Sequence, residues 1–307
     1  KISRVSPIKT VIHQRFTDFD QLREKIQQWD LEFRLLEGTG FDSQILQLIS
    51  ADAHAGYVRI ERKVDQAGST PPGFRTFVIP EENCRSLWWH GHNVGNRNLL
   101  VFPQDGELKS VSERNFEVYL ISLRIPYIEQ LADILGRPTI SEGGHVYLIP
   151  KGRMIKLRSL ARQVMLHPDS KSHIHRVAEA LVLNTSSENN VNPPRLRARE
   201  KAISSIVDCL GANPDTQTDL SSLCRIANVS ERTLQYAFME RYGMPPNVFA
   251  RRWKLNTAKR LLVMAEPGEQ SVGEVSLSLG FNSHSLFTRE YRQLFGELPS
   301  ESLARNA

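Results

Sequence analysis

The chain reads as two fold classes in succession: an α+β region built on an antiparallel β roll with added helices, then an all-α region with two helix-turn-helix units. Three observations predict this. Short β-branched or aromatic segments crowd residues 40–125, and apolar positions then recur at helical spacing to residue 184. After an apolar-poor stretch, every credible segment is helical, and one helical pattern occurs twice. The boundaries expected are 1–184 for the mixed domain (β roll 40–125, helices 126–184), 185–198 for a linker and 199–307 for the helical domain.

Length fits this division, since 307 residues suggest about two domains. The 40% hydrophobic content is enough for packed cores, and the net charge of +5 favours an anionic partner without requiring one. Cys84, Cys209 and Cys224 lie far apart with no Cys-x-x-Cys pair, so neither a disulfide framework nor a cysteine zinc site is expected. No apolar run approaches the ~20 residues that span a bilayer, and the first residues lack a signal peptide's apolar core. The expectation is a soluble cytoplasmic protein with no membrane partner. The chain begins at Lys1, so a true N-terminus is not in view.

In the first region, Phe19, Leu22, Ile26 and Trp29 predict a helix over 18–29. Strands are predicted at 56–62, 74–79, 86–90, 99–102 and 116–123, separated by Gly, Pro, Asn and Asp. Their close spacing argues for antiparallel pairing in a barrel or double-sheet roll. The densest aromatic stretch is Leu87-Trp88-Trp89-His90-Gly91-His92. His90 and His92, two apart on a strand, would share a face and could begin a metal site as in metal-binding cupin barrels. Asn96 and Arg97 stand where those barrels carry a carboxylate, so no metal is expected. Trp88 and Trp89 are candidates to line a small-molecule cavity, with Arg75 to pair an anionic ligand, against core packing and a solvated arginine as the plain alternatives. Three helices follow, carried by Ile128, Leu131 and Leu135, by Ile155 to Leu166, and by Ile174 to Val182. They would seal the roll or pair with a second copy.

Asn184 to Pro194 has almost no apolar content and ends in a double proline, which marks a linker. Residues 195–307 carry 15 Lys and Arg against 12 Asp and Glu, so bulk charge does not single out this half. Local placement is sharper. Residues 247–263 hold Arg251, Arg252, Lys254, Lys259 and Arg260 with no acidic residue, which suits phosphate contacts.

The repeat has a period of 53 residues. Ser230, Leu234, Phe238 and Gly243 match Ser283, Phe287, Tyr291 and Gly296, and each unit has a short helix and tight turn before it. Serine caps the start and glycine ends the helix. Two helices joined by a three to four residue turn make a helix-turn-helix. A joining helix of about 19 residues spans about 28 Å, which suits two reading helices in major-groove segments about 34 Å apart.

These residues resemble the AraC/XylS family of bacterial transcription regulators, above all Gly280-Phe281-Asn282-Ser283-His284-Ser285-Leu286-Phe287-Thr288-Arg289-Glu290-Tyr291 leading to Phe295-Gly296-Glu297-Leu298-Pro299. Val229 to Phe238 is similar to the first unit of that family. The resemblance covers about 110 residues, and the run from Ser230 through Arg260 looks most like regulators of the ethanolamine-operon type.

The resemblance implies a sequence-specific DNA-binding regulator of promoter DNA, an activator and not an enzyme, with no catalytic residue and no cofactor. It puts base reading on Arg232, Gln235 and Tyr236 and on His284, Ser285, Thr288 and Arg289. The chemistry agrees, since arginine can bond guanine O6 and N7 and glutamine adenine N6 and N7. Backbone contacts are expected from Arg251, Arg252 and Lys254, and Glu290 is expected to weaken the second contact. The first domain would be a cupin-like sensor and dimerisation half, giving a homodimer, a small-molecule effector and RNA polymerase as further partners.

Overall fold

The computed structural model describes residues 10–16, 29–38, 42–104, 107–168, 170–185, 190–191, 197–266 and 268–306. The chain divides into two compact units: residues 1–33, 42–62 and 66–193 form one, and residues 34–41, 63–65 and 194–307 the other.

The first unit carries two sheets. Seven strands order as β1 (Thr10–Phe16), β3 (Ser43–Ile49), β4 (Ala53–Ile60), β11 (Phe116–Arg124), β6 (Phe74–Pro80), β9 (Asn98–Val101) and β12 (His145–Leu148). Five order as β2 (Asp30–Leu35), β5 (Val64–Ser69), β10 (Glu107–Ser112), β7 (Leu87–Trp89) and β8 (His92–Val94). Each neighbouring pair of the larger sheet is antiparallel.

Register fixes what each face holds. His54 lies opposite Ser122, Gly56 opposite Leu120 and Val58 opposite Val118, and these residues face an interior cavity shared with the smaller sheet. The alternate residues Ala53, Tyr119, Ile121 and Leu123 face α1 (Ile125–Ile134), α2 (Lys151–Leu166) and α3 (Lys171–Asn184). Leu131, Leu157, Val164, Val177 and Leu181 from those helices complete one apolar core on the sheet's outer side. Truncating a core residue such as Leu157 costs roughly 2–5 kcal/mol.

Each of the five strands expected from sequence overlaps an observed one, and the three later helices lie where periodicity placed them. Strands β1, β2, β3, β5, β8, β10 and β12 went unread. The expected helix over 18–29 falls mostly outside the described residues, and Trp29, at its end, is not helical. Two further expectations are corrected. His90 and His92 do not share a strand face: Trp89 pairs with His92, and His90 and Gly91 form the turn between β7 and β8 with φ of 46° and 87°. Two successive positive φ values suit the right-handed twist of a two-residue hairpin. The polar stretch after α3 is not wholly unpaired either. Asn190 bridges Tyr147, and the Val191 N–H donates to the Val146 carbonyl at 2.7 Å. Backbone pairing on a sheet edge asks nothing of side-chain polarity.

The second unit contains α4 (Arg197–Ala212), α5 (Leu220–Ala227), α6 (Glu231–Tyr242), α7 (Pro246–Met264), α8 (Val272–Ser278), α9 (His284–Phe295) and α10 (Pro299–Leu303). Leu223, Leu234, Phe238, Tyr242 and Phe249 are fully buried, with the Tyr242 and Phe249 rings stacked at 4.1 Å. Leu279, Phe287, Tyr291 and Leu294 are the corresponding core further along. Among the described residues no helix is long and apolar enough to cross a membrane.

Candidate nucleic-acid interface

The helix pairs are set by side-chain caps. Asp219 opens α5 by accepting from the Ser222 N–H at 3.0 Å, and its carboxyl is held well below the usual range by bonds from Ser221 and Ser222. Asn228 then takes the left-handed conformation, φ 51° and ψ 47°, that turns the chain. Asparagine tolerates this where other non-glycine residues are strained. Ser230 caps α6 by accepting from the Thr233 N–H at 3.3 Å, and Gly243 ends it at φ 65°.

The later pair repeats this with different residues. Ser271 and Glu274 form a reciprocal capping box at the start of α8, which holds the Glu274 carboxyl below its ordinary range. Gly280 makes the turn at φ 72°, Ser283 caps α9 by accepting from the Leu286 N–H at 3.3 Å, and Gly296 ends it at φ 79°.

Both longer helices bury one face and expose another. On α6, Leu234, Ala237 and Phe238 are buried, whereas Arg232, Gln235 and Tyr236 are exposed. The Arg232 guanidinium lies 5.5 Å from the centre of the Tyr236 ring, which orients it through the ring's negative face. On α9, Phe287 and Tyr291 are buried, His284, Ser285 and Arg289 exposed and Thr288 half-buried. These four line one surface concavity that also takes in Arg292 and Gln293. Sequence reasoning missed that pair; Arg292 lies three residues after Arg289 and eight after His284, a spacing that repeats on a helix face.

The basic joining helix differs from expectation. Lys254 is only 4% exposed, and its Nζ donates to the Leu279 carbonyl at 2.7 Å. Burial pushes its pKa down, and it is a packing residue, not a phosphate contact. Arg252 Nη1 donates to the Leu36 carbonyl at 2.7 Å, and burial lowers its pKa as well. Arg251 Nε donates to Glu290 Oε2 at 2.6 Å. Lys259 is buried against Glu297. Four of the five cations in this run therefore bond to partners within the unit, whereas Arg260 is exposed. Glu290, expected to oppose DNA, is turned toward α7.

In the first unit, Trp89 lines the cavity between the sheets. Trp88 and Arg75 do not. Trp88 alternates with Leu87 and Trp89 and so points to the other face. Arg75 donates to carbonyls of one loop, from Nη1 to Glu142 at 2.8 Å and from Nη2 to Ser141 at 2.5 Å and Gly143 at 2.6 Å, while its buried Nε has no partner among the described residues. It anchors that loop. Among the described residues no group of His, Cys, Asp or Glu could hold a metal.

The helix-turn-helix domain family matches residues 223–305, which takes in the end of α5 and everything through α10. The chain is 28% identical over 132 residues to XylDLEGF operon transcriptional activator 2 of Pseudomonas putida, covering 43% of this chain and 83% of that protein. It is 32% identical over 97 residues to a probable thc operon regulatory protein of Rhodococcus erythropolis, covering 32% of this chain and 29% of that one. Among solved structures, the DNA-binding domain of AdpA in complex with a target DNA is similar over 34% of this chain and 90% of that one, with 26% identity and a TM-score of 0.30. The match over 223–305 and the similarity to these regulators show a DNA-binding helix-turn-helix domain of the transcription-regulator kind in the second unit.

Proposed function

We propose that the protein reads promoter DNA with two recognition helices, α6 and α9, set in adjacent major-groove segments. The observation that carries this is the repeated geometry. Each helix is capped by serine, ended by glycine at positive φ and packed by an aromatic face. Each leaves hydrogen-bonding side chains exposed. Arg232, Gln235 and Tyr236 read the first segment, and His284, Ser285, Thr288 and Arg289 the second. Footprinting on the target promoter tests the arrangement: two protected segments about one helical turn, roughly 10 base pairs, apart are expected. Protection of a single segment would leave one helix without a reading role.

The first unit acts as the controlling half, through a small-molecule effector or through homodimer formation. Ile155 and Leu166 on α2 and Leu183 on α3 are exposed apolar side chains that suit a second copy. Activation through contact with RNA polymerase in the cytoplasm completes this reading. Similarity to the XylDLEGF operon transcriptional activators of Pseudomonas putida supports activation. The run Ser230 to Arg260 is the basis for assigning the ethanolamine-operon type.

A further inference from the structure

Ser141 stands in the glycine-containing loop that leads into β12, and it is exposed. His145 opens that strand and is half-buried, with Nε2 2.7 Å from Ser141 Oγ. On the other side of the ring, Asn190 Nδ2 lies 3.1 Å from Nδ1. These side chains belong neither to the reading helices nor to the cavity between the two sheets. A hydroxyl, an imidazole and an amide in one hydrogen-bonded line are the parts of an activated nucleophile: the attacking oxygen, its base and the group that orients the base.

The line is held in place from outside. Arg75 donates to the carbonyls of Ser141, Glu142 and Gly143, and the Gln104 N–H donates to that of Glu142 at 2.8 Å. His145 pairs with Val101 on β9, and Asn190 bridges Tyr147. A half turn of the Asn190 side chain exchanges its oxygen and nitrogen, and among the described residues this breaks no bond except that to His145. With the oxygen inward, Nδ1 carries the ring proton and Nε2 accepts from the Ser141 hydroxyl. Burial lowers the pKa of His145, which keeps the ring neutral and able to accept at neutral pH. Access is open. Apart from its chain neighbours, a Cβ at Gly143 would meet only the His145 ring among the described residues, Nε2 at 3.8 Å and Cε1 at 4.0 Å, so there is room beside the attacking oxygen.

We propose that Ser141 is an acyl-acceptor site that takes one acyl group from an activated ester or thioester, with His145 as its base and Asn190 as a positioning residue. Ser141 Oγ attacks the carbonyl carbon and forms the new C–O bond while His145 Nε2 takes the hydroxyl proton. The bond from that carbon to the leaving oxygen or sulfur then breaks with its electron pair, and the leaving group takes the proton from His145. The product is an ester of Ser141 and a free alcohol or thiol. Magnitudes set the donor class. General-base assistance contributes roughly 100- to 10,000-fold, whereas an oxyanion donor, which the line does not contain, is worth roughly 100- to 1,000-fold more. A good leaving group makes up that difference.

The test is p-nitrophenyl acetate with the full chain between about pH 5 and 8, read by nitrophenolate release, intact mass and peptide mapping. One acetyl group per chain is expected, on the peptide that carries Ser141. The rate should climb to a plateau with its midpoint below the ordinary imidazole value of 6.5, whereas a lysine amine would gain rate well beyond it. Ser141→Ala, at an exposed loop position, should remove the adduct. His145→Gln should slow the reaction about 100-fold or more, and Asn190→Ala about 10-fold. Asn190→Asp, which keeps the acceptor oxygen and adds a charge, should keep the rate and move the midpoint up. No adduct, adducts spread over lysines, an adduct that survives in Ser141→Ala, or an unchanged rate in His145→Gln would overturn the proposal.

Discussion

Arg251 and Glu290 join α7, the helix that carries the basic run, to α9, with Arg251 Nε 2.6 Å from Glu290 Oε2. This pair takes a cation away from the expected phosphate contacts and a carboxylate away from the expected DNA face. Both side chains are part exposed, 39% and 24%, so the bond itself is worth no more than about 1 kcal/mol. A double-mutant cycle of Arg251→Ala and Glu290→Gln by denaturant unfolding should give a coupling of that size. Glu290→Gln alone should tighten DNA binding and steepen its salt dependence, since Arg251 is released. Weaker binding in Glu290→Gln would show that the carboxylate serves DNA recognition directly.

Lys254 tests the distinction between packing and phosphate contact. Lys254→Met removes the bond to the Leu279 carbonyl and should cost about 1–2 kcal/mol of stability. The slope of log affinity against log salt should stay at the wild-type value, because no released counterion is involved. A slope that falls by about one would return Lys254 to the phosphate contacts.

The turn residue Asn228 makes a further prediction. At φ 51° an alanine is strained, whereas glycine is not, so Asn228→Ala should destabilise by about 1–2 kcal/mol and Asn228→Gly should be within a few tenths of wild type. Thermal unfolding of the two variants gives the comparison. Equal melting temperatures would mean that the turn relaxes out of the left-handed conformation at little cost.

His54 predicts an acid dependence in the first unit. Its folded pKa of about 4 lies below the unfolded value of about 6.5, so the unfolded chain binds more protons between those pH values. Stability is full above about pH 6.5 and falls as pH drops toward 4, by about 3 kcal/mol from this group. Unfolding midpoints of wild type and His54→Gln at pH 7, 5.5 and 4.5 measure it. The wild-type slope should exceed that of the variant, and parallel slopes would contradict the assignment.

How far the sequence was legible follows from how local each signal is. Ser230, Gly243, Ser283 and Gly296 act within one turn of their own helices, so their roles showed directly in the order of residues. Leu234 and Phe238 followed from period alone. What escaped depended on contacts distant in sequence. Lys254 is 25 residues from the carbonyl it meets, Arg251 is 39 from Glu290, and Arg75 is 66 to 68 from its loop. Nothing in a basic or aromatic run says which side chains a later segment will engage. The hairpin at His90-Gly91 was missed for another reason: histidine at positive φ is uncommon, and the aromatic run masked the turn. Strands such as β5 and β10 carry Asp, Gln, Gly, Lys and Ser, and their pairing is set by neighbours in the sheet more than by intrinsic propensity.

The reading of two DNA segments by α6 and α9 is tested most directly by the affinities of wild type, Arg232→Ala and Arg289→Ala for the target promoter and for random duplex at two salt concentrations. Each substitution should cost about 1–3 kcal/mol on the promoter and far less on random DNA. Equal losses on both, or a loss for only one of the two arginines, would contradict base reading by a matched pair of helices.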